Sequence, residues 1–222
     1  MYLRILKKDL KRKKAMNVIL LVFIILASMF VSSGVNNFIS VTTALDDYFE
    51  MADAPDYIAM TRNKSGAVDV DGILNSAASV ESFGKEKILY MESANVTFED
   101  ESKTASNLSY IFLQRDEDMS MNYILDDGII LKSVKRGDFY TTAGMAEDIG
   151  LEVGDKMTVK LGGISCIFTF AGGVKDAVLG SKGISIQRYI ISTEDFEKFI
   201  SAENVEKFYG GELVYIRTSD ME

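Results

Sequence analysis

Val18-Ile19-Leu20-Leu21-Val22-Phe23-Ile24-Ile25-Leu26-Ala27-Ser28-Met29-Phe30-Val31 is the apolar heart of a longer uncharged run. From Ala15 to Leu45 there are 31 residues without an Asp, Glu, Lys or Arg. Lipid offers no hydrogen bonds, so a single spanning segment satisfies its own backbone only as a helix. At about 1.5 Å per residue, Met16 to Val41 makes a rod of about 39 Å. The hydrocarbon core needs only about 30 Å. The helix is therefore predicted to cross a bilayer and project beyond it.

The flank predicts direction. Residues 1–14 carry Arg4, Lys7, Lys8, Lys11, Arg12, Lys13 and Lys14 against Asp9 alone, a net of +6. The remaining 17 basic and 32 acidic residues leave 15–222 at −15. Short basic loops stay cytoplasmic. This predicts an inner N-terminus and an acidic outer part at the cell membrane. Within 1–14, Leu3, Leu6 and Leu10 share one helical face, which fits an interfacial helix on anionic lipid or a plain topological stop. A cleaved signal peptide ending near Val31-Ser32-Ser33 is the alternative. Against it, Val35, Phe38, Val41, Leu45 and Phe49 continue at helical spacing, so the anchor is predicted to remain.

Composition bounds the rest. About 170 residues follow the span, and 47% of the chain is hydrophobic, enough for a folded core. Net charge of −9 and a pI near 4.7 argue against nucleic-acid binding, which needs cationic contacts to phosphates. Cys166 is the sole cysteine, so no internal disulfide can form. Its apolar setting, Gly163 to Phe168, reads as a small buried hydrophobe. The chain has no histidine, which removes zinc sites built from Cys and His and imidazole acid–base chemistry. Gly180-Ser181-Lys182-Gly183 lacks the P-loop spacing. Asp116-Glu117-Asp118 lacks calcium-loop spacing and reads as a solvated loop. No catalytic, cofactor-binding or metal-binding set emerges, and an enzyme is not expected.

Along the chain, the helix is predicted to continue as a stalk to about Met51 and to be broken by Pro55. Tyr57–Met60 reads as a strand, Arg62–Gly66 as a turn, and Val70, Ile73, Leu74 and Ala77 as a short helix ending near Ser79. Strands are predicted at Lys87–Met91, Ala94–Phe98, Ser109–Gln114, Lys156–Leu161, Ile164–Ala171, Arg188–Ile191 and Glu212–Arg217. Gly162-Gly163 reads as a two-residue hairpin turn. A glycine-containing loop is predicted over 172–183. Arg136 to Thr141 leads into a short helix holding Met145, Ala146 and Ile149. Ser192 to Asp195 reads as the cap of a helix to about Ile200. Asn63, Asn95 and Asn107 match the glycosylation pattern, with chance occurrence the plain explanation.

The basic pre-helix with its single span, together with Gly150-Leu151-Glu152-Val153-Gly154-Asp155-Lys156-Met157-Thr158-Val159, the preceding Met145-Ala146 helix and the hairpin ending Phe168-Thr169-Phe170-Ala171-Gly172, resembles the FtsX-like/MacB-like ABC transporter permeases. The resemblance implies an α+β chain divided at 1–14, 15–52 and 53–222. These would be a cytoplasmic helix, a transmembrane helix with stalk, and an extracellular core domain. Within the core, 55–85 and 204–222 would form an α/β porter-like part and 86–203 a mostly β insertion. It implies a separate ATPase subunit and the lipid membrane as partners, and leaves room for a second permease copy. Family permeases carry three further spans, so the sequence would be the N-terminal portion of one. A stand-alone, signal-anchored domain that binds a ligand or partner is the alternative from a different class.

Overall fold

The computed structural model describes residues 14–63, 68–103, 109–115, 119–180 and 186–219. The predicted interfacial helix, the turn at 64–66, the acidic run 116–118, the segment 181–183 and Asn107 lie outside these. The chain forms two compact units, one ending at Tyr48 and one starting at Phe49.

Helix α1, Lys14–Ala52, runs 39 residues without a break; it belongs to the first unit up to Tyr48, and its last turn, from Phe49, belongs to the second. It is the one described helix long and apolar enough to cross a membrane. Val18 to Leu26 all stand open around the whole circumference, as do Phe30 and Phe38. A helix whose apolar window is exposed on every side suits lipid rather than water. The helix fits a single-pass membrane anchor.

The second unit is a ten-stranded, mostly antiparallel sheet with short helices. Its strands are β1 (Tyr57–Arg62), β2 (Val80–Glu92), β3 (Val96–Phe98), β4 (Ser109–Gln114), β5 (Ile124–Leu125), β6 (Asp138–Thr142), β7 (Lys156–Leu161), β8 (Ile164–Lys175), β9 (Ile186–Ile191) and β10 (Gly210–Thr218). Its helices are α2 (Val70–Ser76), α3 (Ala143–Asp148), α4 (Thr193–Ile200) and α5 (Val205–Tyr209). Strand order is β1-β10-β2-β4-β9-β6-β8-β7-β3, with β5 also on β8. Among the described strand pairs only β4–β9 and β6–β8 are parallel. The protein is therefore α+β: one long apolar helix and a large, mostly β head.

Two features shape the sheet. Strands β1 and β2 are parallel to each other on either side of β10 and joined through α2, a split β-α-β unit. Beyond β2 the sheet curls, so β2, β3, β4, β6, β7, β8 and β9 all feed one core around Phe98, Phe112, Phe139, Phe168 and Tyr189. Phe196 and Phe199 of α4 and Val205 of α5 complete it. The opposite face holds a second core of Ile88, Ile111, Leu113, Ile190, Leu213 and Tyr215, covered by Met121, Tyr123, Leu131 and Val134. Alternate residues of β2, β4 and β9 thus serve different cores, as a period of two requires.

The structure corrects several expectations. The strand predicted at 87–91 starts at Val80, because β10 pairs with β2 along its whole length and draws Val80–Glu86 into the ladder. Ser93–Asn95 form a 3-10 turn rather than the start of a strand, with Asn95 accepting the Glu92 N–H. The short helix stops at Ser76, before Ser79. The loop expected from 172 begins as strand, since β8 continues to Lys175 against β6. Residues 138–142 are strand β6 rather than a simple lead-in, and α5 was not foreseen. Helix α1 ends at Ala52, before Pro55, on Asp53 in a left-handed conformation with φ of 48°. β4, β7 and the hairpin turn agree with the sequence; Gly162 and Gly163 adopt φ of 56° and 78°, which suit glycine.

Candidate functional site

Helix ends leave backbone carbonyls without partners. The end of α1 resolves this in an informative way. Ala54 N–H donates to Phe49 O and Asp53 N–H to Glu50 O, the Schellman pattern with Asp53 in the place glycine usually takes. The next four carbonyls are met by two residues from distant parts of the head. Asn122 donates its backbone N–H to Ala52 O at 2.7 Å and its side-chain amide to Met51 O at 3.2 Å. Arg217 on β10 donates to Asp53 O at 2.9 Å and Ala54 O at 3.3 Å. Six consecutive carbonyls, Phe49 to Ala54, are therefore satisfied. Arg217 also pairs with Asp53 Oδ1 at 3.0 Å, which gives the strained Asp53 a use that glycine would lack. Its positive charge lies at the negative pole of the helix. Ala52 is fully buried.

The residues that hold the helix end are themselves held. Arg115, at the end of β4, donates to Leu131 O, Met121 O and Asn122 Oδ1 and so braces the loop that carries Asn122. Ser120 N–H donates to Glu86 Oε1 at 2.7 Å, and Tyr215 hydroxyl donates to Glu86 Oε2 at 2.8 Å. A side chain at position 84 would collide with the Ser120 hydroxyl, so Gly84 lets this loop approach β2. Deeper still, Arg188 donates to Tyr123 hydroxyl at 2.7 Å and lies 2.9 Å from Asp176 Oδ2. Asp176 Oδ1 accepts from Val178 N–H and Leu179 N–H. Among the described residues the Nε and Nη2 of Arg188 find no hydrogen-bond partner; the Tyr123 ring lies 5.4 Å from its guanidinium carbon.

Electrostatics follow burial. Glu86 has its pKa raised, chiefly by desolvation, against the hydrogen bonds of Tyr215 and Ser120 and the charges of Arg188 and Arg115. Burial pushes Tyr123 and Tyr215 upward as well, so both stay protonated at neutral pH, Tyr123 accepting from Arg188 and Tyr215 donating to Glu86. Burial opposes the Arg188 charge, but Asp176, Tyr123, Tyr215 and Glu86 together more than offset this and the cation is kept.

Other residues singled out from sequence make local contacts. Gly150 and Gly154 take φ of 66° and 105° in the turn before β7. Asp155 there accepts the Glu152 N–H and pairs with Lys103 at 2.6 Å; the Glu152 and Lys103 contacts hold its pKa down. Cys166 is buried and accepts a hydrogen bond from Lys198. Asn63 and Asn95 use their amides on Glu206 O and Lys160 O. Among the described residues no group of three or more Asp, Glu or Cys could hold a metal ion. Sequence reasoning missed Asn122, Arg217, Glu86, Tyr215, Arg188 and Asp176. The residues at the helix end and the Glu86 site meet only through long-range pairing, so no local spacing could have marked them.

No protein-family model matches this sequence, and no curated protein matches it.

Proposed function

We propose that this chain is a membrane-anchored subunit, or the N-terminal portion, of an ABC permease of the FtsX/MacB type, with its basic N-terminus inside and its acidic head outside. In this reading α1 carries motion, driven by a separate ATPase, to the head for export or mechanotransmission. The observation that carries the reading is the capped end of α1: six satisfied carbonyls give the last turn of the helix a firm seat among head residues. A lever needs such a seat, because a frayed end would dissipate displacement. Two further features support it. The split unit β1-α2-β2 with α5 and β10 is compatible with a porter-like part drawn from 55–85 and 204–222. The curled strands β3 to β9 suit the β insertion, although β2 runs across the 85/86 division.

The test is made in the complete system. Gly34→Pro breaks α1 away from the head, since proline removes a helical hydrogen bond and clashes with the preceding turn. Paired Asn122→Ala and Arg217→Ala loosen the seat. Both are expected to keep expression and membrane insertion while ATPase-linked output is lost. Undiminished output in both variants would remove the lever. Co-purification of a P-loop ATPase separates this reading from a stand-alone binding domain, which would purify without one.

A further inference from the structure

Strand β1 ends the sheet, and no described segment pairs with its outer edge. Tyr57, Ala59 and Met60 are exposed. Its pairing with β10 runs through six residues without a bulge. Its sequence, Tyr-Ile-Ala-Met-Thr-Arg, contains no proline or lysine, the residues that commonly blunt an edge. Such an edge is a template for another strand.

We propose that β1 pairs antiparallel, about a two-fold axis at Ala59, with β1 of a second copy of this chain. This inference does not rest on the permease reading. Opposed residues in a ladder share a face of the sheet. Ile58, Met60 and Arg62 face the side of Tyr215, Leu213 and Tyr90, while Tyr57, Ala59 and Thr61 face the other. Asp56, by alternation, falls with Ile58. A two-fold pairing must then centre on a residue, not between two. Centred on Ala59, Asp56 opposes the partner's Arg62, and the partner's Asp56 opposes Arg62. Ile58 opposes Met60, Tyr57 opposes Thr61, and the smallest side chain lies at the axis. Centring on Ile58 sets Asp56 against Met60, and centring on Met60 sets Arg62 against Ile58, so within 56–62 only Ala59 pairs both charges. Charge complementarity selects one register and a self-complementary partner. Arg62 stacks 3.2 Å above the Tyr90 ring of β2, inward of the edge, and swings outward to meet the partner's Asp56. Asp56 accepts from Thr218 through Oδ2, so among the described residues its Oδ1 stays open to the partner. Anchoring in one membrane raises the effective concentration of copies for each other.

The test uses the full chain in nanodiscs with Cys166→Ser as background. Ala59→Cys is expected to form a disulfide-linked dimer on mild oxidation. Tyr57→Cys alone is not, but mixed with Thr61→Cys it is. Arg62→Asp is expected to lower dimer affinity about tenfold, through two cross-strand charge pairs. Adding Asp56→Arg to it should restore the dimer. A monomer by light scattering would overturn the proposal and leave the edge to a different partner. Equal crosslinking at all three positions, or no rescue by the double reversal, would also overturn it.

Discussion

Glu86 lies 6% exposed, with Tyr215 and Ser120 as donors. Its raised pKa sets a sign. Its stabilising contribution is complete below the ordinary glutamate value of about 4.3 and is lost as pH rises through the higher folded value. Chemical-denaturation midpoints of the chain should therefore fall with rising pH in that window, and Glu86→Gln should flatten the fall. An unchanged slope in the variant would assign the dependence elsewhere. Ion pairs differ in worth by burial. Asp176→Ala strands a fully buried Arg188 and should cost about 3–5 kcal/mol. Lys87→Ala, which breaks the exposed pair with Glu206, should cost at most about 1 kcal/mol. Denaturant titration of both variants compares them directly. The adjacent hairpin glycines also separate. A Cβ at Gly163 meets open space, whereas one at Gly162 would strike Val205 in the main core. Gly163→Ala should cost about 1–2 kcal/mol through its backbone alone, and Gly162→Ala measurably more.

Helix α1 and the β7–β8 hairpin were legible because their information is local. An uncharged run of 31 residues has few alternatives to a helix in lipid. The Gly162-Gly163 turn and the alternation of Lys156–Leu161 need only neighbours in sequence. Strand β2 was read too short because Glu81, Ser82, Gly84 and Lys85 carry little apolar signal. Their strand geometry comes from β10, about 130 residues later in the chain. The seat of α1 was hidden for the same reason: Met51 and Asn122 are 71 residues apart, and Asp53 and Arg217 164 apart. Arg217→Ala removes two carbonyl caps, the Ser120 contact and the Asp53 pair. It should destabilise the head by about 2 kcal/mol and speed amide exchange at Phe49–Ala54, as read by hydrogen–deuterium exchange.

The first unit is an apolar rod exposed around its circumference, and the second holds strands β2, β4 and β9, whose residues are buried on both faces. If the rod lies in lipid, alkaline carbonate should leave the intact chain in the membrane fraction. Release into the supernatant would remove the anchor. Protease added outside sealed cells tests the direction separately, and should digest the head while sparing the basic N-terminus. The amino-acid order alone determined the apolar helix, the charge contrast across it, the tight hairpin and the exclusion of histidine and disulfide chemistry. Each of these depends on composition or on residues a few positions apart. Tertiary structure alone decided how β1, β2 and β10 share one ladder, which two residues cap α1, where Glu86 and Arg188 are buried, and which edge stays open. Those depend on segments distant in the chain, and burial exists only once they meet.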